Sequence, residues 1–270
     1  FEDCVNLKTV TFLGSAAANE KAIGNYAFYN CTALTTVNFE ENCAVASIGD
    51  YAFAFCEELA AISIPTTTTS VGSYAFQSCV SLSSITIEGG EEELVIGDYA
   101  FSECANLTEV NLMAGVADFN FTRVFDGCDY IETVNVDGAN VNFRSIDGVL
   151  YTKDGTEVVY YPRQYDASQY VLGDAVEVIR EGAFKDAVLL QKIQIGANVT
   201  SIEAYAFSGC TSLSGLTFAD GATPLSLGSY AFSGCGSLTS VVLPNRITAI
   251  SEYAFSSATS LANLTLGATL

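Results

Sequence analysis

Apolar and polar positions follow one another in a phrase that returns from end to end of this chain: Ile-Gly-x-Tyr-Ala-Phe-x-x-Cys-x-x-Leu-x-x-Val-x-Ile. Its phenylalanines are Phe28, Phe53, Phe76, Phe101, Phe125, Phe184, Phe207, Phe232 and Phe255, and Phe1 opens a further, cropped copy. Successive steps are 25, 23, 25, 24, 59, 23, 25 and 23 residues. A period of this size predicts a solenoid, in which each unit buries its apolar face only by stacking on its neighbours. Such an array grows by adding coils to one core. The expectation is therefore a single solenoid over 1–270, with regular coils in 1–136 and 173–270 and an irregular coil with a β-hairpin insert in 137–172.

Spacing inside the repeat carries more detail. From each phenylalanine to the last apolar residue of its unit is 11 residues, as from Phe28 to Phe39, Phe53 to Ile64, Phe76 to Ile87, Phe207 to Phe218 and Phe255 to Leu266. The stretch from there to the next phenylalanine varies, running 16, 14, 12, 14 and 13 residues in the first half. One half of the coil is rigid and one edge absorbs insertions, since loops tolerate added residues and packed columns do not. The pairs Val37-x-Phe39, Ile62-x-Ile64, Ile85-x-Ile87 and Val241-x-Leu243 alternate with polar residues, the two-residue period of a strand with one buried face. Stacked coils would set these strands side by side in a parallel sheet, eleven of them if Tyr170-Val171-Leu172 is included. Before each phenylalanine stands Gly-[Asn/Asp/Ser]-Tyr-Ala, with Asn25, Asp50, Ser73, Asp98 and Ser229 as N-cap types. A single helical turn is expected over Tyr-Ala-Phe, entered through the flexible Gly24, Gly49, Gly72, Gly97 and Gly228.

The run Ile96-Gly97-Asp98-Tyr99-Ala100-Phe101-Ser102-Glu103-Cys104-Ala105-Asn106-Leu107 resembles the leucine-rich repeat of BspA-like bacterial surface proteins, and the match holds in register across nearly the whole chain. Ser145-Ile146-Asp147-Gly148-Val149-Leu150-Tyr151, Lys153-Asp154-Gly155 and Tyr160-Tyr161-Pro162 are similar to an irregular unit of that family. The resemblance implies an α/β solenoid, a right-handed leucine-rich-repeat coil with a parallel β-sheet on its concave face and short helical turns on its convex face. It also implies a secreted or surface-attached protein with an adhesive role, and it carries over no catalytic or binding residue. Two units depart from the pattern: Asn120-Phe121-Thr122-Arg123 replaces Ile-Gly-x-Tyr before Phe125, and Gly182 takes the tyrosine position before Phe184. Both flank the insert, so a kink or loosening is expected there.

Composition narrows the function classes. Half of the residues are apolar and 15% are charged, with 31 Asp and Glu against 10 Lys and Arg, a net charge of −21. That field repels phosphate backbones and anionic headgroups, so neither nucleic acid nor a membrane surface is an expected partner. A basic protein patch or a cation would suit it, although acidity also serves solubility. The sequence has no histidine, which removes His-dependent triads, His-ligated zinc and the commonest general base. No enzyme activity and no cofactor is expected. No apolar run approaches the ~20 residues of a membrane span, and no signal peptide is visible. The chain opens mid-repeat at Phe1 and stops just after a predicted strand, at Leu270, so both ends are expected to be cropped.

Four features carry candidate chemistry. Cys4, Cys31, Cys56, Cys79, Cys104, Cys128, Cys210 and Cys235 each stand three residues after a repeat phenylalanine. Wide spacing makes them poor metal ligands, and inter-coil disulfides are conceivable. Alanine takes the same place at 187 and 258, however, so the position asks for a small apolar group and is read as a buried structural thiol. The ninth cysteine, Cys43, is off register in the loop Glu40–Ala44; exposed reactivity is weighed there against partial burial. In the insert, Lys153-Asp154-Gly155 predicts a hairpin, and Tyr151, Tyr160, Tyr161, Tyr165 and Tyr170 cluster around it. They form either a projecting contact patch or a cover for the gap in the stack.

The third candidate is the outward face of the sheet. Thr36 and Asn38, Ser84 and Thr86, Thr133 and Asn135, Lys192 and Gln194, and Asn263 and Thr265 form a ladder of hydroxyls and amides. It would suit an extended protein or a glycan, or would simply be solvated. Fourth, Glu88-Gly89-Gly90-Glu91-Glu92-Glu93 could hold calcium but lacks calcium-loop spacing and reads better as a solvated loop. The functional expectation is a monomeric, non-enzymatic module binding an extracellular protein or glycan, with Tyr151, Tyr160, Tyr161, Tyr165, Thr36, Asn38, Thr86 and Asn135 as contact residues. The alternative is a structural spacer that presents another domain.

Overall fold

The computed structural model describes residues 1–14, 21–90 and 92–268; Leu270, the end of the last predicted coil, lies outside them. The chain forms two compact units, 1–144 and 145–270. Each is a parallel-strand solenoid, and the strand expected in every repeat is present. In the first unit these are Thr9–Phe12, Thr36–Phe39, Ala61–Ile64, Ser84–Ile87, Glu109–Leu112 and Thr133–Val136. In the second they are Gln169–Val171, Lys192–Ile195, Gly215–Phe218, Ser240–Val242 and Asn263–Thr265. Inward-facing apolar residues pair with one another: Ile85 lies between Ile62 and Val110, and Ile193 between Tyr170 and Leu216.

A second strand column was not foreseen. Lys21–Ile23, Val45–Ile48, Ser70–Val71 and Val95–Ile96 form a parallel sheet in the first unit. Val178–Ile179, Ser201–Ile202, Leu225–Leu227 and Ile247–Ile250 do so in the second. Several of these strands are only two residues long, as at Ser70–Val71 and Val95–Ile96, too short to show a two-residue period.

The expected helical turns are corrected. Among the described residues the α-helix is Phe121–Val124, in the unit that departs from the repeat, with Asn120 capping it by accepting from Arg123 N at 3.1 Å. Elsewhere Tyr-Ala-Phe is a run of overlapping turns. In the second coil Ala52 N donates to Gly49 O, Ala54 N to Tyr51 O and Cys56 N to Phe53 O. The intervening amides point to the next coil: Tyr51 N to Ser73 O, Phe53 N to Ala75 O at 2.7 Å and Phe55 N to Gln77 O. A helix would consume those donors internally; here they tie coil to coil.

The residues read as N-caps do the same. Asn25 Oδ1 accepts from Asp50 N at 2.9 Å, and Asp50 Oδ1 from Ser73 N at 2.8 Å. The glycine before them answers to close approach: a Cβ on Gly49 would lie 2.4 Å from Asn25 Oδ1, and one on Gly72 2.5 Å from Asp50 N.

Phenylalanines run through both cores. In the first unit Phe1, Phe28, Phe53, Phe76, Phe101 and Phe125 stack at 5.3, 5.0, 5.2, 5.1 and 5.3 Å between ring centroids. In the second the column is Tyr161, Phe184, Phe207, Phe232 and Phe255, at 4.7, 4.7, 5.0 and 5.3 Å. Tyr161 thus takes a phenylalanine's place. Its N–H donates to Ala183 O at 2.7 Å, as Phe184 N does to Ala206 O. At the variable edge, buried polar groups close the carbonyls: Thr68 Oγ1 donates to Val45 O, Asn140 Nδ2 to Met113 O, and the Arg246 guanidinium to Val199 O and Gly196 O.

The hairpin is present but does not project. Val149–Thr152 pairs antiparallel with Glu157–Tyr160, which pairs in parallel with Val178–Ile179. The hairpin therefore supplies two rungs of the second unit's second sheet. Its turn is fixed by Asp154, whose carboxylate accepts from Thr156 N and from the Thr152 and Thr156 hydroxyls; these bonds hold its pKa down at about 2.

Phe76 is fully buried between two rings. Phe76→Ala is expected to cost roughly 3–5 kcal/mol and to divide the first unit into separately melting blocks. Differential scanning calorimetry should show the wild-type transition lowered and split; one unshifted transition would contradict the stacking account.

Candidate binding surfaces

The cysteine column is built into the backbone ladder. From Cys31 onward each column thiol donates to the carbonyl of the preceding coil's phenylalanine, as Cys56 Sγ to Phe28 O at 3.3 Å, Cys79 to Phe53 O at 3.3 Å, Cys104 to Phe76 O at 3.3 Å and Cys235 to Phe207 O at 3.2 Å. All nine cysteines are free thiols. Burial pushes the Cys56 thiol up to about 12, and Cys79 is raised well above its ordinary value for the same reason. A thiol held protonated in a dry column is neither nucleophile nor metal ligand. Cys43 is buried too, with Lys21 Nζ 3.7 Å from its sulfur. Cys4 is exposed. Under native conditions iodoacetamide is expected to alkylate Cys4 and spare the seven buried column thiols and Cys43. Peptide mass mapping that found Cys79 or Cys104 labelled without denaturant would refute this packing.

As a projecting patch the tyrosines of the insert are corrected. Tyr151, Tyr160 and Tyr161 are buried and offer a partner no surface. Tyr151 and Tyr170 share a hydroxyl–hydroxyl hydrogen bond of 2.6 Å. Tyr165 is partly buried, its ring 5.1 Å from that of Tyr161. Burial, then the bond to Tyr151, raises the Tyr170 hydroxyl far above its ordinary pKa. The cluster fills the place left by the missing repeat phenylalanine.

The strand-face residues do reach the surface. Asn38 and Asn135 are exposed, and Thr36 and Thr86 are half-buried. Thr86, Asn111 and Asn135 stand in one outward column of paired strands. Asn135 Nδ2 donates to Asn111 Oδ1 and Glu109 Oε1, both at 2.9 Å. Asn38 borders an open hollow of about 540 Å³ with Ser63, Pro65 and Glu88. In the second unit Gly215 lies in a smaller hollow of about 250 Å³ with Gln169, Lys192 and Thr217. Within the run read for calcium, Glu91 lies outside the described residues, while the Glu88 carboxylate accepts from Ser63 Oγ.

Sequence reasoning missed an aromatic ladder on the turn side. Tyr26, Tyr51, Tyr74 and Tyr99 stack at 5.0, 4.9 and 5.1 Å, and Tyr205, Tyr230 and Tyr253 at 5.0 and 4.8 Å. Tyr26, Tyr205 and Tyr253 are 44%, 40% and 58% exposed, and the other four are half-buried. Every one sits in the left-handed backbone region, with φ between 56° and 62°, at a cost of about 1–3 kcal/mol for a bulky residue. Gly182, with φ 66°, was the sequence signal, because it stands in the tyrosine column. Packing by its neighbours, then the adjacent phenols Tyr74 and Tyr26, raises the Tyr51 hydroxyl pKa.

Tyr74→Ala and Tyr74→Gly remove the same stack, but only glycine relaxes the backbone. The glycine variant is expected to be more stable by about 1 kcal/mol, against the usual order. Urea unfolding in which alanine equals or exceeds glycine would remove the strain argument.

A repeated polar strand face, in-register thiols and stacked tyrosines form one pattern from coil to coil. A model of the BspA type leucine rich repeat region, in six copies, matches residues 21–147 and 177–270. The chain belongs to that family. Among solved structures, the pneumococcal vaccine antigen PcpA is similar at a TM-score of 0.84 and 24% identity, over 97% of this chain and 62% of that one. The chain therefore spans less than two thirds of that relative. A leucine rich cell surface protein of Faecalibacterium prausnitzii A2-165 is similar at 0.63 and 25% identity, covering 91% of this chain and 76% of its own. A leucine-rich repeat protein of Eubacterium ventriosum ATCC 27560 gives 0.57 and 22%, covering 87% and 73%. No curated protein matches the chain. Among the described residues, no helix is long and apolar enough to cross a membrane.

Proposed function

We propose that this chain is a non-enzymatic binding and adhesion module of a bacterial cell-surface or secreted protein, engaging an extracellular protein or glycan through its strand face. The observation that carries this reading is the outward column Thr86, Asn111 and Asn135, repeated rung by rung in strict register. A rigid row of amides and hydroxyls at a fixed repeat suits a partner that is itself extended, because the ordering cost is already met in the free protein. Supporting the surface setting, one similar structure is described as a leucine rich cell surface protein. Supporting a non-catalytic role, the sequence has no histidine and seven of its eight column cysteines sit in a dry interior.

The test is a glycan and protein array probed with the wild-type chain and with the triple variant Asn38→Ala, Thr86→Ala, Asn135→Ala. These side chains are exposed or half-buried, so the fold should persist, with a change in stability of about 0.5 kcal/mol or less for each. A hit that falls about tenfold or more in the variant supports the strand face. Absence of any hit would leave the spacer role standing, and a hit indifferent to the three substitutions would move the site elsewhere.

A further inference from the structure

The turn face of the first unit carries a second, chemically different surface. Its centre is the ladder of Tyr26, Tyr51, Tyr74 and Tyr99, widened by Tyr29, which meets Tyr26 edge-on at 5.5 Å, and by Phe55, 5.5 Å from Tyr29. One flank is the column Asn25, Asp50, Ser73 and Asp98, each residue immediately before a tyrosine. Stacking hides the ring faces and leaves the edges and hydroxyls outward. Residues 1–144 carry 20 Asp and Glu against 4 Lys and Arg, whereas 145–270 carry 11 against 6.

The fifth place of the tyrosine ladder, two residues before Phe125, is Arg123. Its Nη1 lies 3.3 Å from Asp98 Oδ2, with both side chains about half exposed. The chain thus shows which group the flank accepts at the end of the ladder: a guanidinium against the aspartate. Asp50 is the counterpart of Asp98 two coils earlier. Its Oδ1 is taken by Ser73 N, while Oδ2 makes no hydrogen bond among the described residues.

We infer that this face docks an arginine-bearing, extended segment of a partner protein, whose guanidinium groups meet Asp50 and Asp98 while its backbone lies along the tyrosine edges. Two coil steps of 4.9 and 5.1 Å separate the Asp50 and Asp98 coils. A polyproline II segment turns once in three residues, or about 9.3 Å, so arginines at every third position meet both carboxylates from one side. Aromatic-lined surfaces are ones on which such segments settle, and along this ladder Tyr26 is exposed while Tyr51, Tyr74 and Tyr99 are half-buried. Arginine suits the flank better than lysine, because its planar fork can satisfy a carboxylate through two donors.

The experiment titrates fluorescently labelled (Arg-Pro-Pro)4 into the full chain by polarisation, with the lysine and glutamate analogues beside it. Binding should weaken as salt rises, and the order should be arginine, then lysine, with glutamate unbound. Asp50→Asn keeps the acceptor for Ser73 N, as Asn25 does for Asp50 N, and is expected to weaken binding about threefold to tenfold. Asp98→Asn should do the same. Arg123→Gln vacates Asp98 and is expected to tighten binding about threefold, which a surface of merely structural tyrosines would not do. Asn38→Ala, on the strand face, should leave it unchanged, so this inference and the strand-face reading fail separately. No binding at low salt, equal binding of the glutamate peptide, or indifference to both Asp98→Asn and Arg123→Gln would overturn the inference.

Discussion

Backbone pairing between neighbouring coils sets one short distance, and the side-chain choices follow from it. Parallel strands run about 4.8 Å apart, so whatever stands at a given place in one coil must tolerate its own kind directly above and below. Flat rings do, which is why the phenylalanine column reads 5.0–5.3 Å throughout the first unit. A thiol fits the same gap and adds a donor for the phenylalanine carbonyl. Where backbone meets backbone, as at Gly49 and Gly72, no side chain is admitted.

The same constraint explains a conformation that would otherwise be unfavourable. The left-handed tyrosine of the regular repeats is held by inter-coil bonds on both sides, such as Tyr51 N to Ser73 O and Asp50 N to Asn25 Oδ1. Ring stacking returns about 0.5–1.5 kcal/mol per pair, comparable with the strain. The outcome is a surface row of phenols whose positions are fixed before any partner arrives. That pre-organisation distinguishes it from a loop carrying the same residues.

Much of this was legible in the sequence because the repeat samples each environment many times. The strand of Val37 and Phe39, the column of Phe53, Phe76 and Phe101, the buried thiols and the Lys153-Asp154-Gly155 turn follow from spacing and residue type. The helical turn was misread because Asn25 and Asp50 are good N-caps and Tyr-Ala-Phe has no obvious breaker. Nothing local reveals that their acceptors serve the next coil. Left-handed tyrosine runs against residue preference, and Gly182 alone hinted at it in that column. The role of Tyr161 was hidden because it differs in type from its column, although it stands 23 residues before Phe184, a normal repeat step. Tyr151 and Tyr160 could not be placed without knowing that the hairpin enters a sheet.

Bonds that cross from coil to coil also bear on how the protein is made. Phe53 N finds its acceptor on Ala75, and Phe53 O receives the Cys79 thiol. A coil leaving the ribosome therefore has open polar groups and a bare ring until the following repeat has been translated. Nascent folding must trail synthesis by about one repeat, a delay on the order of seconds at ordinary elongation rates. During that interval the growing tip is a sticky, unsatisfied surface, most exposed where the regular rhythm lapses between Phe125 and Tyr161.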